Sequence, residues 1–88
     1  MSDKKNTRGS IDITESQQEL LNKIGKRVKE LREKKLDGMS YEEFASKYGL
    51  NRTSQYRLES GQNFMMVNLM KFCEGVGVSL KEFFAGIK

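Results

Sequence analysis

Apolar residues recur at helical spacing along the chain, and this periodicity constrains the fold more than any other feature. The clearest stretch is TESQQELLNKIGKRVKELREKKL, in which one apolar stripe is formed by Leu20, Leu21, Ile24, Val28 and Leu31. Charged residues fill its other faces, as in an amphipathic surface helix. We predict that this helix starts at Thr14 or Ser16, with Ser16 and Glu19 as a capping box, and that it stops at Asp37-Gly38.

A second, shorter helix is predicted over residues 40–48, in the stretch SYEEFASKYG. Ser40 is a good cap, and Glu42 and Glu43 place negative charge in the first turn, where the helix dipole favours it. Gly49 ends the helix. Its inward face is predicted to consist of Phe44, Ala45 and Tyr48.

Two helices in the last third of the chain complete the predicted core. The first ends around residues 75–77 and carries Met66, Leu69, Met70, Phe72 and Cys73. Ser79 caps the second, whose side chains Leu80, Phe83 and Phe84 can close the core. No stretch alternates as a strand does, so the prediction is an all-α, compact five-helix domain without a sheet.

The chain length of 88 residues allows one small domain. The Lys/Asn/Ser-rich opening suggests a flexible N-terminal tail over residues 1–15, followed by a folded domain over residues 16–88. No apolar run reaches membrane-spanning length and no secretory signal is visible. We therefore expect a cytoplasmic protein that does not bind membranes.

The residues that most enzymes need are missing. Histidine is absent and Cys73 is the single cysteine, which excludes a disulfide, a Cys/His zinc cluster and histidine-based catalysis. No glycine-rich phosphate loop or acidic cluster with metal-ligand spacing occurs. The expectation is a protein that is not an enzyme and that uses no cofactor and no metal. The net charge of +4 suits a polyanionic partner but is weak evidence alone.

The stretch GLNRTSQYRLESG predicts a third helix that is mostly polar, over residues 52–60, with Asn51 as its cap. Leu50 and Leu58 give it a narrow apolar contact, so neighbouring helices must hold it in place. A short helix, a turn of about three residues and a polar helix form the pattern of a helix-turn-helix, whose second helix enters the DNA major groove. Arginine on such a helix can donate two hydrogen bonds to guanine.

The order of several motifs resembles the lambda-repressor-like, Cro-type (XRE-type) helix-turn-helix family between Ile24 and Phe84. The matching pieces are IGKRVKELREKK, MSYEEFASKYGLNRTS, LESGQNF and LMKFCEGVGVSLKEFF. The resemblance implies a five-helix domain that binds double-stranded operator DNA as a homodimer and regulates transcription, most often as a repressor. The turn KLDGM between the first two helices is about two residues longer than is common in the family.

The same resemblance implies the site residues. The positions that contact bases in the family are Arg52, Thr53, Tyr56 and Arg57. The positions that hold DNA phosphates are Tyr41, Asn51, Ser60, Gln62 and Asn63. Arg32 and Glu59 occupy positions that often form an ion pair between the first helix and the recognition helix.

One position departs from the family, because Gln55 stands where an apolar residue usually packs. Either Gln55 finds hydrogen-bond partners inside the domain, or the helix is rotated and Tyr56 fills the slot. The second alternative would remove Tyr56 from the bases.

A protein-interaction role is the alternative function. The domain could be an antitoxin-like module that grips a protein partner. Apolar side chains exceed what a single domain of this size must bury, and a symmetric patch for a dimer is expected among Phe64, Met65, Met66, Phe84 and Ile87.

Overall fold

A computed structural model describes residues 12–87 of the protein, and five α-helices account for most of them. In chain order they are α1 (Glu15–Lys35), α2 (Tyr41–Lys47), α3 (Arg52–Glu59), α4 (Met66–Val76) and α5 (Leu80–Ala85). Within residues 12–87 there is no strand, so the predicted all-α, five-helix fold is confirmed. Residues 1–11 of the predicted tail lie outside the described part.

The start of α1 lies at Thr14, the earlier of the two predicted positions, but its capping box differs from the prediction. The cap is Thr14, whose hydroxyl accepts a hydrogen bond from Gln17 N at 3.2 Å. The Gln17 side chain accepts one from Thr14 N at 2.9 Å, which completes a capping box. The predicted box of Ser16 and Glu19 is therefore wrong, because an equivalent pair two residues earlier satisfies the first free N–H groups and Ser16 lies inside the helix.

The caps of the shorter helices are as predicted. Ser40 forms a capping box with Glu43 at the start of α2, and Ser79 forms one with Glu82 at the start of α5. Backbone and hydroxyl hydrogen bonds from Ser40 lower the pKa of the Glu43 carboxyl group. The Ser79 cap lowers the pKa of the Glu82 carboxyl group in the same way. Both pairs supply partners to free N–H groups of helices too short to be stable alone.

The core lies where α1, α2, α3 and α4 meet, and α5 closes one end of it. Its fully buried large side chains include Val28, Phe44, Leu58, Leu69, Phe72 and Phe83. The Phe72 ring lies 5.1 Å from Phe44 and 6.5 Å from Phe83, measured between ring centroids. One aromatic row thus links α2, α4 and α5.

Six apolar residues that were predicted to face the core are exposed. They are Leu20, Tyr48, Met66, Met70, Leu80 and Phe84. Leu20 is 50% exposed, and the first buried residue on α1 is Ile24. The six-residue α5 offers only Phe83 to the core. Tyr48 still stacks on Phe44, with a centroid distance of 4.7 Å.

No helix within residues 12–87 is both long enough and apolar enough to cross a membrane. Cys73 is buried on α4, as predicted from its place on the apolar face of the helix. Burial raises the pKa of the Cys73 thiol, so it is a poor nucleophile and a poor redox sensor.

Candidate nucleic-acid interface

Backbone and side-chain hydrogen bonds fix the turn between α2 and α3. Leu50 N donates to Ala45 O at 2.8 Å across Gly49, whose φ is 70°, and this hydrogen bond ends α2. Asn51 then caps α3, since its side-chain oxygen accepts from Thr53 N at 2.8 Å. These contacts set the helix-turn-helix geometry that the sequence predicts.

The inner face of α3 consists of Leu58 and Gln55, both fully buried. Gln55 Nε2 donates to Glu59 Oε2 at 3.0 Å, whereas Gln55 Oε1 has no hydrogen-bond partner among the described residues. Tyr56 is 48% exposed. The first of the two alternatives therefore holds: Gln55 fills the inward slot and Tyr56 stays outside.

An ion pair fixes α3 to α1. Arg32 Nε donates to Glu59 Oε2 at 2.7 Å and Arg32 Nη2 to Glu59 Oε1 at 2.8 Å, with both side chains almost fully buried. The Glu59 carboxylate raises the pKa of Arg32, and the guanidinium also donates to Met39 O. The expected pair is present. Gly25 lets the helices approach closely, because a Cβ there would lie 2.6 Å from Glu59 O.

The outer face of α3 is open. The four predicted base-contacting residues, Arg52, Thr53, Tyr56 and Arg57, are all exposed. Tyr41 at the start of α2 is half-buried, and its ring lies 5.6 Å from that of Tyr56 at an angle of 48°. A shallow cavity of about 220 Å³ is lined by Tyr41, Arg52, Thr53 and Tyr56. Three predicted base contacts and one predicted phosphate contact therefore share one surface.

Glu42 belongs to this surface and was not predicted to. Its Oε2 lies 3.4 Å from Arg52 Nη1, and both side chains are more than half exposed. An exposed pair of this kind contributes little to stability, so Arg52 can leave it for a stronger acceptor. Glu42 follows the predicted contact residue Tyr41 in the chain. Its contact with Arg52 depends on how α2 packs against α3, which the sequence alone does not give.

A second part of the surface follows α3. Ser60, Gln62 and Asn63 are exposed there, and Gln62 Nε2 donates to Ser60 Oγ at 3.0 Å. Arg57 and Asn63 line a cavity of about 220 Å³ that is distinct from the one around Tyr41. Asn51 is exposed at the other end of α3, and its cap uses only the side-chain oxygen, so its amide N–H groups donate to no other residue between 12 and 87.

The chemistry of this surface suits binding. Apart from the Glu42 carboxylate, its polar groups are guanidinium, hydroxyl and amide donors. Within the described residues, no three His, Cys, Asp or Glu side chains lie close enough together to hold a metal ion. Such donors recognise phosphate oxygens and the edges of bases.

Comparison with known proteins adds one decisive relative. Over 67 residues the chain is 39% identical to Control protein C.MunI of Mycoplasma sp, and the match covers 75% of this chain and 89% of that protein. The chain belongs to the control-protein family of helix-turn-helix regulators. No family model matches the chain.

The family and the fold together give this control protein its general role. It is a DNA-binding transcriptional regulator with a helix-turn-helix. The open outer face of α3 agrees with that role, since a reading helix needs a free route to DNA.

Proposed function

We propose that this control protein binds a specific operator and that α3 lies in the major groove with Arg52, Thr53, Tyr56 and Arg57 against the bases. The observation that carries the proposal is the contrast between the two faces of α3. The inner face is fixed by Leu58, Gln55 and the Arg32–Glu59 ion pair, while the outer face is exposed. A rigid support behind a polar, open helix suits major-groove recognition.

The side chains on the outer face differ in the base edges that they fit. Arg52 and Arg57 can each donate two hydrogen bonds to O6 and N7 of guanine. Thr53 offers a hydroxyl group to a base edge or a methyl group to thymine. Tyr56, held by the Tyr41 ring, adds a hydroxyl group and an aromatic surface.

Neutral side chains at both ends of α3 and at the start of α2 are suited to the sugar-phosphate backbone. We assign phosphate contacts to Tyr41, Asn51, Ser60, Gln62 and Asn63. These residues are half-buried or exposed and carry hydroxyl or amide donors. Contacts of this kind fix the orientation of a protein on DNA without reading sequence.

A homodimer on a palindromic operator completes the proposal, with repression as the outcome. Support comes from exposed apolar side chains on and just before α4 and on α5, namely Met65, Met66, Val67, Met70, Leu80 and Phe84. Exposed apolar groups on neighbouring helices favour association, and a two-fold dimer places two reading helices on two half-sites.

The Arg52→Lys substitution tests the reading role. The operator used here is the duplex that the protein selects from a random pool. Lysine keeps the charge but loses the planar donor pair that matches guanine, so we expect the binding free energy for this operator to weaken by about 1–3 kcal/mol. Affinity for random duplex should change little, because the charge that meets phosphate is retained. Fluorescence anisotropy with both duplexes at one fixed salt concentration measures the two losses.

Lys34→Ala is the control, since Lys34 is an exposed cation near the end of α1 and is not assigned to the interface. It should not alter the preference for the operator over random duplex. Equal losses on the two duplexes for Arg52→Lys would show that Arg52 does not read bases.

A further inference from the structure

The first part of α1 lies against the turn that follows α3. Gln18 Nε2 donates to Gly61 O at 2.8 Å, although the two residues are 43 positions apart in the chain. This stretch contributes nothing fully buried before Ile24, so it adds little to the core. Its polar contact with the turn therefore calls for another explanation.

The orientation of the Gln18 amide follows from its partners. A backbone carbonyl can only accept, so the Gln18 atom facing Gly61 O must be the NH₂ group. The same nitrogen lies 2.9 Å from Asn22 Oδ1, one helical turn further along α1. Both Gln18 amide hydrogens are thus used, and Gln18 and Asn22 form one unit.

Gly61 fits this unit closely. It is buried and has a φ of 79°, a conformation that side chains with a Cβ rarely adopt. A Cβ at Gly61 would also collide with Asn22 Oδ1. Gln62 N donates to Arg57 O at 3.2 Å, which ties the residue after Gly61 back to α3. The turn is therefore clamped between α1 and α3.

We propose that Gln18 and Asn22 are positioning residues for DNA binding, because they hold the turn at residues 60–63 where its amide and hydroxyl groups meet phosphate. The inference rests on the proposed function, which assigns phosphate contacts to Ser60, Gln62 and Asn63. Neither positioning residue needs to touch DNA. They act on affinity indirectly, because they order the hydrogen-bond donors of the turn before DNA binds and so lower the entropic cost of binding.

Gln18→Ala tests the inference in the full chain. It removes the clamp but keeps a good helix former, so α1 should persist. We expect about fivefold weaker binding to the selected operator and to random duplex alike, which is the effect of one lost hydrogen bond. The slope of affinity against salt should not change, because the turn residues are neutral and release no counterions.

Gln17→Ala is the matched control. Gln17 belongs to the α1 capping box, and its hydrogen bonds are to Thr14 rather than to the turn. This variant should bind both duplexes as the wild type does. If Gln17→Ala and Gln18→Ala lost the same affinity, the cause would be fraying of α1, and the inference would be overturned.

A double-mutant cycle with Gln62→Ala separates positioning from general stability. If Gln18 acts through the turn, Gln18→Ala should weaken binding much less in the Gln62→Ala background than in the wild type. Full additivity contradicts the inference, as does unchanged binding by Gln18→Ala alone. Wild-type protein that shows no preference for any duplex would instead refute the proposed function, which keeps the two failures distinct.

Discussion

The Arg32 guanidinium, the Glu59 carboxylate and the Gln55 amide share one buried network behind the reading helix. Glu59 Oε2 accepts from both Arg32 and Gln55, while Gln55 Oε1 is left without a partner among the described residues. A buried acceptor in this state costs about 1–3 kcal/mol. The network therefore fixes the position of α3 at some cost in stability.

Removing one partner of the ion pair should be strongly destabilising. Arg32→Met leaves the Glu59 carboxylate buried and uncompensated, so we expect the free energy of unfolding to fall by about 3–5 kcal/mol. Urea denaturation followed by circular dichroism measures the change. The double variant Arg32→Met/Glu59→Leu should recover part of the loss, because it buries no unpaired charge but leaves Gln55 Nε2 without its acceptor. A loss below about 1 kcal/mol in Arg32→Met would mean that the pair does not hold α3.

At the residue scale, the sequence predicted contacts for which the family resemblance names both partners. The Arg32–Glu59 ion pair is such a contact. The burial of Gln55 could not be predicted, because an amide and a tyrosine ring can both occupy the inward position. Which of them is buried depends on the rotation of α3 about its axis, and the sequence does not give that rotation. Glu42 was missed for a related reason, since its contact with Arg52 crosses from one helix to the next.

At the scale of the helices, capping boxes connect stability to pH. The pKa values of Glu43 and Glu82 lie below the usual 4.5, because each carboxylate accepts hydrogen bonds from the Ser that caps its helix. A carboxyl group with a lowered folded pKa stabilises the fold above its unfolded pKa, and the contribution is lost as the pH falls through the folded value. Both boxes should therefore weaken below about pH 4.5.

The variant Glu43→Gln/Glu82→Gln tests this pH dependence. Glutamine still offers an oxygen to the capping N–H group but does not titrate. We expect the Tm of the variant to fall less than that of the wild type between about pH 6 and about pH 3. Thermal unfolding followed by circular dichroism at each pH provides the comparison. Identical decreases in Tm would show that the two boxes do not contribute to acid sensitivity.

The start of α1 was harder to predict than the starts of α2, α3 and α5. Ser40, Asn51 and Ser79 stand directly before polar first turns, and each caps the helix expected of it. The start of α1 offered two suitable hydroxyl residues, Thr14 and Ser16, each with a partner three positions on. Local sequence cannot rank these two capping pairs, because the earlier cap is used only if tertiary contacts stabilise the first turn of the longer helix. The contact of Gln18 with Gly61 supplies one.

At the scale of the whole molecule, the apolar pattern predicted the number of helices and much of the core. The pattern overestimated the number of buried apolar side chains, since Leu20, Leu80 and Phe84 are exposed. Periodicity shows which residues share a face of a helix, but it does not show how far neighbouring helices extend over that face. The exposed apolar side chains on α4 and α5 support the proposed dimer.

Selection of bound sequences from a random duplex pool tests the central claim, that the outer face of α3 reads bases in the major groove. We predict one enriched motif of two inverted half-sites, centred about one helical turn apart and containing guanine. The same selection with Arg52→Lys should lose the preference for a guanine in each half-site. If duplexes are retained but no sequence is enriched, the protein does not read bases and the central claim is wrong.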